Sequence, residues 1–280
     1  ARRRLALDEF VELQRELRRR RNNLQSKAMA LPCTGNGSFT IPFLKQIGFH
    51  LTDSQRAVSM EIDGDLNGKH PMRRLLQGDV GSGKTIVAAL AVLRVLESGF
   101  NGLIMAPTEI LAEQHFRNFT RWLSHFPIRV RLHTGSHKES DIPLFCSEEP
   151  AVTIGTHALF QDSFSMENIG LVVIDEQHKF GVNQRDRLLR KGQFPHLLVM
   201  TATPIPRTLG LTLYGDLDCS VINEMPTGRG TVRTFVRTPQ SWPKIISFMR
   251  EQLSAGRQAY VVFPRVDNED TAAGIKAVTT

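Results

Sequence analysis

Gly78-Asp79-Val80-Gly81-Ser82-Gly83-Lys84-Thr85 is the stretch that decides the fold. It satisfies G-x-x-x-x-G-K-[ST], the loop that cradles phosphates. Its glycines let the backbone curl so that successive N–H groups point at phosphate oxygens. A helix opening at Thr85 adds its positive N-terminal end. Lys84 is placed to reach the β and γ phosphates of a nucleoside triphosphate such as ATP, and the Thr85 hydroxyl to hold Mg²⁺. The context fits the mechanism: an apolar strand at Leu75 and Leu76 leads in, and an apolar helix predicted over 85–97 leads out.

Working outward, a second motif answers the first. The apolar run 170–174 ends in Asp175-Glu176-Gln177-His178. A buried strand delivering two adjacent acids is the other half of a phosphate-loop site. Asp175 would hold the Mg²⁺, and Glu176 would orient and deprotonate the attacking water. His178 would link the γ-phosphate end of this site to a neighbouring strand. The candidate partner is Thr201-Ala202-Thr203-Pro204, at the end of the apolar run 197–200. Hydrogen bonds from Thr201 and Thr203 to the acidic motif would couple the two.

The short apolar runs 102–106, 130–133, 152–154, 171–174 and 197–200 alternate with helical patterns over 85–97 and 110–123. Such runs suit parallel strands covered on both faces. The alternation predicts an α/β doubly wound domain, with ligands at the carboxyl ends of the strands. Ahead of it, residues 5–24 carry Phe10, Leu13, Leu17 and Leu24 at helical spacing, and 30–38 reads as a linker. From Pro226 a second α/β unit is expected, with strands at 232–236 and 259–263 around a helix at 241–253. The expected organisation is a helical connector over 1–50, a nucleotide-binding domain over 51–225 and the incomplete start of a second domain over 226–280.

Composition narrows the class. The chain has 280 residues and a net charge of +7. The first 21 residues hold eight arginines against four acids, so the charge is concentrated at one end. It permits a nucleic-acid partner without demanding one. There is no apolar run long enough to span a membrane. Cys33, Cys146 and Cys219 lack the spacing of a zinc site or a disulfide framework, which fits a reducing compartment.

Further runs extend the pattern: LTDSQ at 51–55, MRRLLQ at 72–77, APTEILAEQH at 106–115, TGS at 134–136, GTH at 155–157, KFGV at 179–182, TATPIPRTL at 201–209 and LYGDLD at 213–218. With the glycine loop and DEQH, these resemble the superfamily 2 helicases, and among them the RecG-like branch-migrating DNA helicases. The resemblance covers most of 50–240. Transcription-repair coupling translocases are similar, but Gln177 and Ser82 favour the RecG-like group.

This resemblance implies a RecA-like fold, ATP and Mg²⁺ as cofactors, and branched or double-stranded DNA as partner. It implies a monomer without a membrane association, in a bacterial cytoplasm; a plastid or mitochondrion stays open. It assigns the adenine edge to Gln55, and DNA-backbone contacts to Pro107, Thr108, Glu109, Gly135, Ser136, Thr156 and His157. The Q-x-x-G-R-x-G-R box of the family's second motor domain is missing from these residues, as is a wedge domain ahead of helix 5–24. The expectation is a first motor domain that binds nucleotide and hydrolyses it slowly alone.

Overall fold

The computed structural model describes residues 11–12, 15, 19, 30–48, 50–136, 150–161, 164, 166–176, 194–203, 217–224 and 233–262. The helix predicted over 5–24 lies largely outside them; Val11, Glu12, Arg15 and Arg19 are helical. Gln177, His178 and the run beyond Thr203 also lie outside the described residues.

Among the described residues, seven parallel strands form one sheet. In chain order they are β1 (Arg73–Gly78), β2 (Asn101–Met105), β3 (Arg129–His133), β4 (Ala151–Gly155), β5 (Ile169–Asp175), β6 (His196–Thr201) and β7 (Asp218–Ile222). Their order across the sheet is β3-β4-β2-β5-β6-β1-β7, and every neighbouring pair is parallel. The described helices of this region are α1 (Thr40–Gln46), α2 (Asp53–Leu66), α3 (Lys84–Leu96) and α4 (Glu109–Leu123). This is the parallel α/β architecture expected from the sequence.

Each strand feeds two cores because successive side chains point to opposite faces. Leu76, Ile104, Val173, Leu198 and Met200 join one core with α3. Leu75, Leu103, Val172, Ile174, Leu197 and Val199 join another on the opposite face. Helix α3 is buried at ten positions from Ile86 to Leu96. It lies between the sheet and the helices α1 and α2, which explains an apolar surface nearly all round.

Three features depart from the sequence reading. Helices α1 and α2 were not anticipated. Helix α2 buries Gln55, Val58, Ile62 and Leu66 on one stripe, and the single glutamine among them breaks the apolar pattern. Strand β7 is the second: its Ser220 is buried because Arg74 Nη1 bonds its hydroxyl at 2.6 Å, so a core position carries a polar residue. The third is the stretch 30–38. It has no helix or strand, yet Cys33 is fully buried. Its amides bond Lys69 O from Ala30, Leu66 O from Cys33, Ser98 Oγ from Gly35 and Glu97 Oε2 from Gly37. It is fastened down along its length, unlike a linker.

The chain divides into two compact units, residues 1–229 and 230–280. In the second, a short 3₁₀ turn, Pro239–Ser241, leads into α5 (Trp242–Ser254), close to the predicted helix. The strands predicted at 232–236 and 259–263 are not formed in their described parts. A strand needs a hydrogen-bonded neighbour, and Val236 and Val262 are 95% and 88% exposed.

Candidate functional site

The glycine loop joins β1 to α3. Gly81 and Gly83 have φ values of 82° and 87°, which an L side chain rarely adopts. Space matters as much: a Cβ on Gly83 would lie 2.3 Å from Gln55 Nε2, and one on Gly78 would lie 2.5 Å from Ser82 Oγ. The loop closes on itself through Ser82 N to Asp79 O at 3.1 Å and Val80 N to Asp79 Oδ1 at 2.7 Å. Among the described residues, the N–H groups of Gly81, Gly83, Lys84 and Thr85 have no bonded acceptor. Such a set of unpaired donors at a helix N-terminus suits phosphate oxygens.

Lys84 Nζ donates to the carbonyls of Gly78 at 2.7 Å and Asp79 at 3.0 Å, holding the curl. Burial pushes the ammonium pKa down, partly offset by the charges of Asp175, Glu176 and Asp79. The lysine and the acidic pair therefore share one electrostatic environment. Topology explains this: β6 lies between β1 and β5, with Gln77 beside Thr201 and Asp175 beside Met200. Two strand spacings separate loop from acids, about 10 Å.

Gln55 is 2% exposed. Its Oε1 accepts from Thr52 N at 3.0 Å, completing a capping box at the start of α2. Its Nε2 donates to Ser82 O at 2.7 Å. Each end of this amide bonds the chain's own backbone, so Gln55 braces the loop from behind.

At the end of β5, Glu176 takes φ 52°, a sparsely populated conformation for a side chain of this kind, of the sort found at functional sites. Its N–H bonds Met200 O at 3.0 Å, and its Oε1 accepts from Ala202 N at 3.3 Å. The acidic motif and the 201–203 turn therefore meet through a backbone amide. Thr201 and Thr203 instead bond each other, hydroxyl to hydroxyl, at 2.8 Å. Gln177 and His178, the other half of the expected threonine link, lie outside the described residues. Asp175 Oδ2 accepts from His115 Nε2 at 2.8 Å. His115 comes from α4 and is 6% exposed; sequence reading gave it no role. The signal was available, because it shares the stripe of buried residues Ala112, Phe119 and Leu123.

The residues expected to face DNA gather at the ends of β2, β3 and β4. Pro107 is half-buried just ahead of Thr108, which caps α4 by accepting from Leu111 N at 3.3 Å. Glu109 accepts from Ser136 N at 3.1 Å and from Ser136 Oγ at 2.7 Å. These bonds hold its carboxyl below the usual range. Gly135, Ser136 and His157 are exposed, whereas Thr156 is 1% exposed. Burial takes the Thr156 side chain off the surface, against the expectation.

No cluster of three or more His, Cys, Asp or Glu side chains suited to a metal occurs among the described residues. Asp175 and Thr85 nevertheless fit Mg²⁺, which takes one or two protein oxygens and completes its shell with phosphate and water.

With this geometry in place, comparison with known proteins settles the family. The DEAD/DEAH box helicase profile matches residues 52–211. The chain belongs to the DEAD/DEAH box helicases. This helicase chain is 45% identical over 275 residues to the ATP-dependent DNA helicase RecG of Synechocystis, covering 96% of the chain and 33% of that protein. It is 40% identical to RecG of Bacillus subtilis, covering 96% and 40% respectively. It thus spans roughly a third to two fifths of the curated relatives' length. A structure of RecG bound to a three-way DNA junction aligns with TM-score 0.82 and 40% identity, over 94% of the chain and 36% of that one. The Hef helicase domain of Pyrococcus furiosus aligns with TM-score 0.53 at 20% identity, over 76% and 47%, and shows the shared fold alone. No described helix is long and apolar enough to cross a membrane.

Proposed function

We propose that this helicase chain is the nucleotide-binding motor part of an ATP-dependent DNA helicase that remodels branched DNA in recombination and repair. The observation that carries the reading is that the glycine loop after β1 and the Asp175-Glu176 pair after β5 stand at the same end of one parallel sheet, with only β6 between them. The sequence and structural similarity to RecG supports the substrate class. Residues 51–225 form the ATP-binding domain, and 226–280 begin a second domain.

The unpaired amides of Gly81, Gly83, Lys84 and Thr85 receive the β and γ phosphates. Lys84 Nζ shifts from the Gly78 and Asp79 carbonyls to a phosphate oxygen. Thr85 Oγ1 and Asp175 would hold Mg²⁺, which would supply neutralisation of phosphate charge. Glu176, at its strained position, orients a water in line with the γ-phosphorus and takes its proton. Ala202 N–H reports on Glu176 to the 201–203 turn, and Gln177 and His178 continue that coupling. Pro107, Thr108, Gly135, Ser136 and His157 meet the DNA backbone, which calls for amides and hydroxyls without sequence readout.

Titration of a fluorescent ATP analogue with Mg²⁺ tests the site. Lys84→Ala should weaken binding at least about tenfold, since it removes a charge-assisted phosphate contact; unchanged affinity would overturn the assignment. A three-way junction should bind the chain more tightly than an unbranched duplex of equal length. A chain that binds nucleotide but no DNA would fit an enzyme acting on a small phosphate acceptor.

A further inference from the structure

The α4 stripe that faces the sheet holds Ala112, Phe119 and Leu123, all apolar, and His115. A polar ring on such a stripe needs a physical reason. It has one hydrogen-bond partner among the described residues, Asp175 Oδ2 at 2.8 Å, and its Nδ1 is buried with none. A carboxylate oxygen only accepts, so the proton of this bond resides on Nε2. The histidine side chain is 8% exposed and that of Asp175 is 13% exposed. The bond is thus largely shielded from competing water. An apolar side chain would satisfy the packing and avoid the unpaired Nδ1. The ring's one polar contact is with the acid that the proposed site uses for metal.

We infer that His115 is a positioning residue: from α4 it holds one oxygen of Asp175, which fixes the carboxylate plane and leaves the other oxygen, Oδ1, for the metal of a metal–nucleotide complex. The inference rests on the proposed nucleotide site. It also ties that site to the surface loops. Glu109, six residues earlier on α4, bonds Ser136, and six residues of helix span about 9 Å. One rigid helix therefore carries both the grip on Asp175 and the contact with the 134–136 turn.

The test is the Mg²⁺ dependence of binding of a fluorescent ATP analogue to the 280-residue chain, with Mn²⁺ as a second metal read by electron paramagnetic resonance. His115→Phe keeps the ring shape and removes the donor. It should raise the metal concentration at half-saturation by about 10- to 100-fold, the usual effect of losing a group that orients a metal ligand. Binding of the analogue in EDTA should not change. His115→Gln, whose amide can still reach Asp175, should recover most of the metal affinity, and the shorter His115→Asn should not. This contrast remains decisive if the phenylalanine variant folds poorly. In an Asp175→Asn background, His115→Phe should have no further effect on metal dependence. Wild-type metal dependence in both His115→Phe and His115→Asn would overturn the inference and leave the nucleotide site standing. A wild-type chain with no metal-dependent binding would overturn both.

Discussion

Gln55 shows how one side chain can serve two neighbours. Its amide closes the capping box with Thr52 and braces Ser82 O from behind the phosphate loop. Gln55→Leu fills nearly the same space and strands both backbone groups, at a cost of about 1–3 kcal/mol for each one left unsatisfied. Thermal unfolding should register the loss. Competition titrations should show ATP and GTP weakened alike, because the loop shared by both has slackened. A selective loss of ATP would support the adenine-reading role. The T-x-x-Q spacing was legible in the sequence. What it could not convey was burial, which decides whether an amide is offered to a ligand or consumed by the fold. The same is true of Thr156, where a hydroxyl that looked surface-facing is buried at the start of the 3₁₀ turn His157–Phe160.

At the level of elements, two buried ionisable groups hold the sheet and helices to the stretch ahead of them. Glu97 caps α3, and its fully buried carboxylate accepts from the amides of Gly37, Phe39 and Thr40 at 2.9, 2.8 and 2.6 Å. Burial pushes its pKa up, but the bonds from Thr40, Gly37 and Phe39 outweigh this and leave it below its ordinary 4.5. A depressed carboxyl stabilises the fold above the unfolded-state value and loses that contribution as the pH falls. Wild type should therefore exceed Glu97→Gln in urea midpoint at pH 7, and the gap should close below about pH 4.5. A constant gap would mean that the carboxylate charge is irrelevant. His196 works in the same direction at milder pH. Its Nδ1 accepts from Met72 N and its Nε2 donates to Leu31 O, both at 2.9 Å to within a tenth. Burial pushes its pKa below 6.5, so the neutral ring stabilises the fold above that value and the contribution fades on acidification. His196→Asn should thus lose less stability than wild type between pH 7 and pH 5.5, measured by thermal melts. The β strands and α3 were legible because their apolar runs are continuous. Helix α2 and strand β7 were not, because Gln55 and Ser220 occupy core positions through hydrogen bonds to residues distant in sequence, Ser82 and Arg74, that only the folded chain brings near.

On the scale of the whole molecule, the parallel architecture follows from the alternation of strands and helices, but the order of the strands does not. Asp175 and Lys84 are distant in sequence, and only the insertion of β6 between β5 and β1 puts them at one site. The two compact units differ in what they bury. The first holds a large double core; in the second, Trp242, Phe248 and Leu253 of α5 are 42%, 60% and 50% exposed. Thiol chemistry can follow the first unit alone. Cys33 is fully buried and burial pushes its thiol up to about 12, whereas Cys219 is exposed. Peptide mapping after brief iodoacetamide treatment at pH 7.5 should find Cys219 alkylated and Cys33 untouched until denaturant unfolds the sheet. Rapid native labelling at Cys33 would mean that the 30–40 stretch detaches readily.

That stretch has a consequence for how the gene can vary. Coil between secondary elements ordinarily accepts extra residues at small cost. Here the backbone is pinned at Ala30, Leu31, Cys33, Gly35, Gly37, Phe39 and Thr40, so an added residue anywhere between the first and last of these pins would throw the ones beyond it out of register. Length should be as rigidly conserved across this coil as across a strand, and grafting of tags or foreign peptides belongs upstream of it.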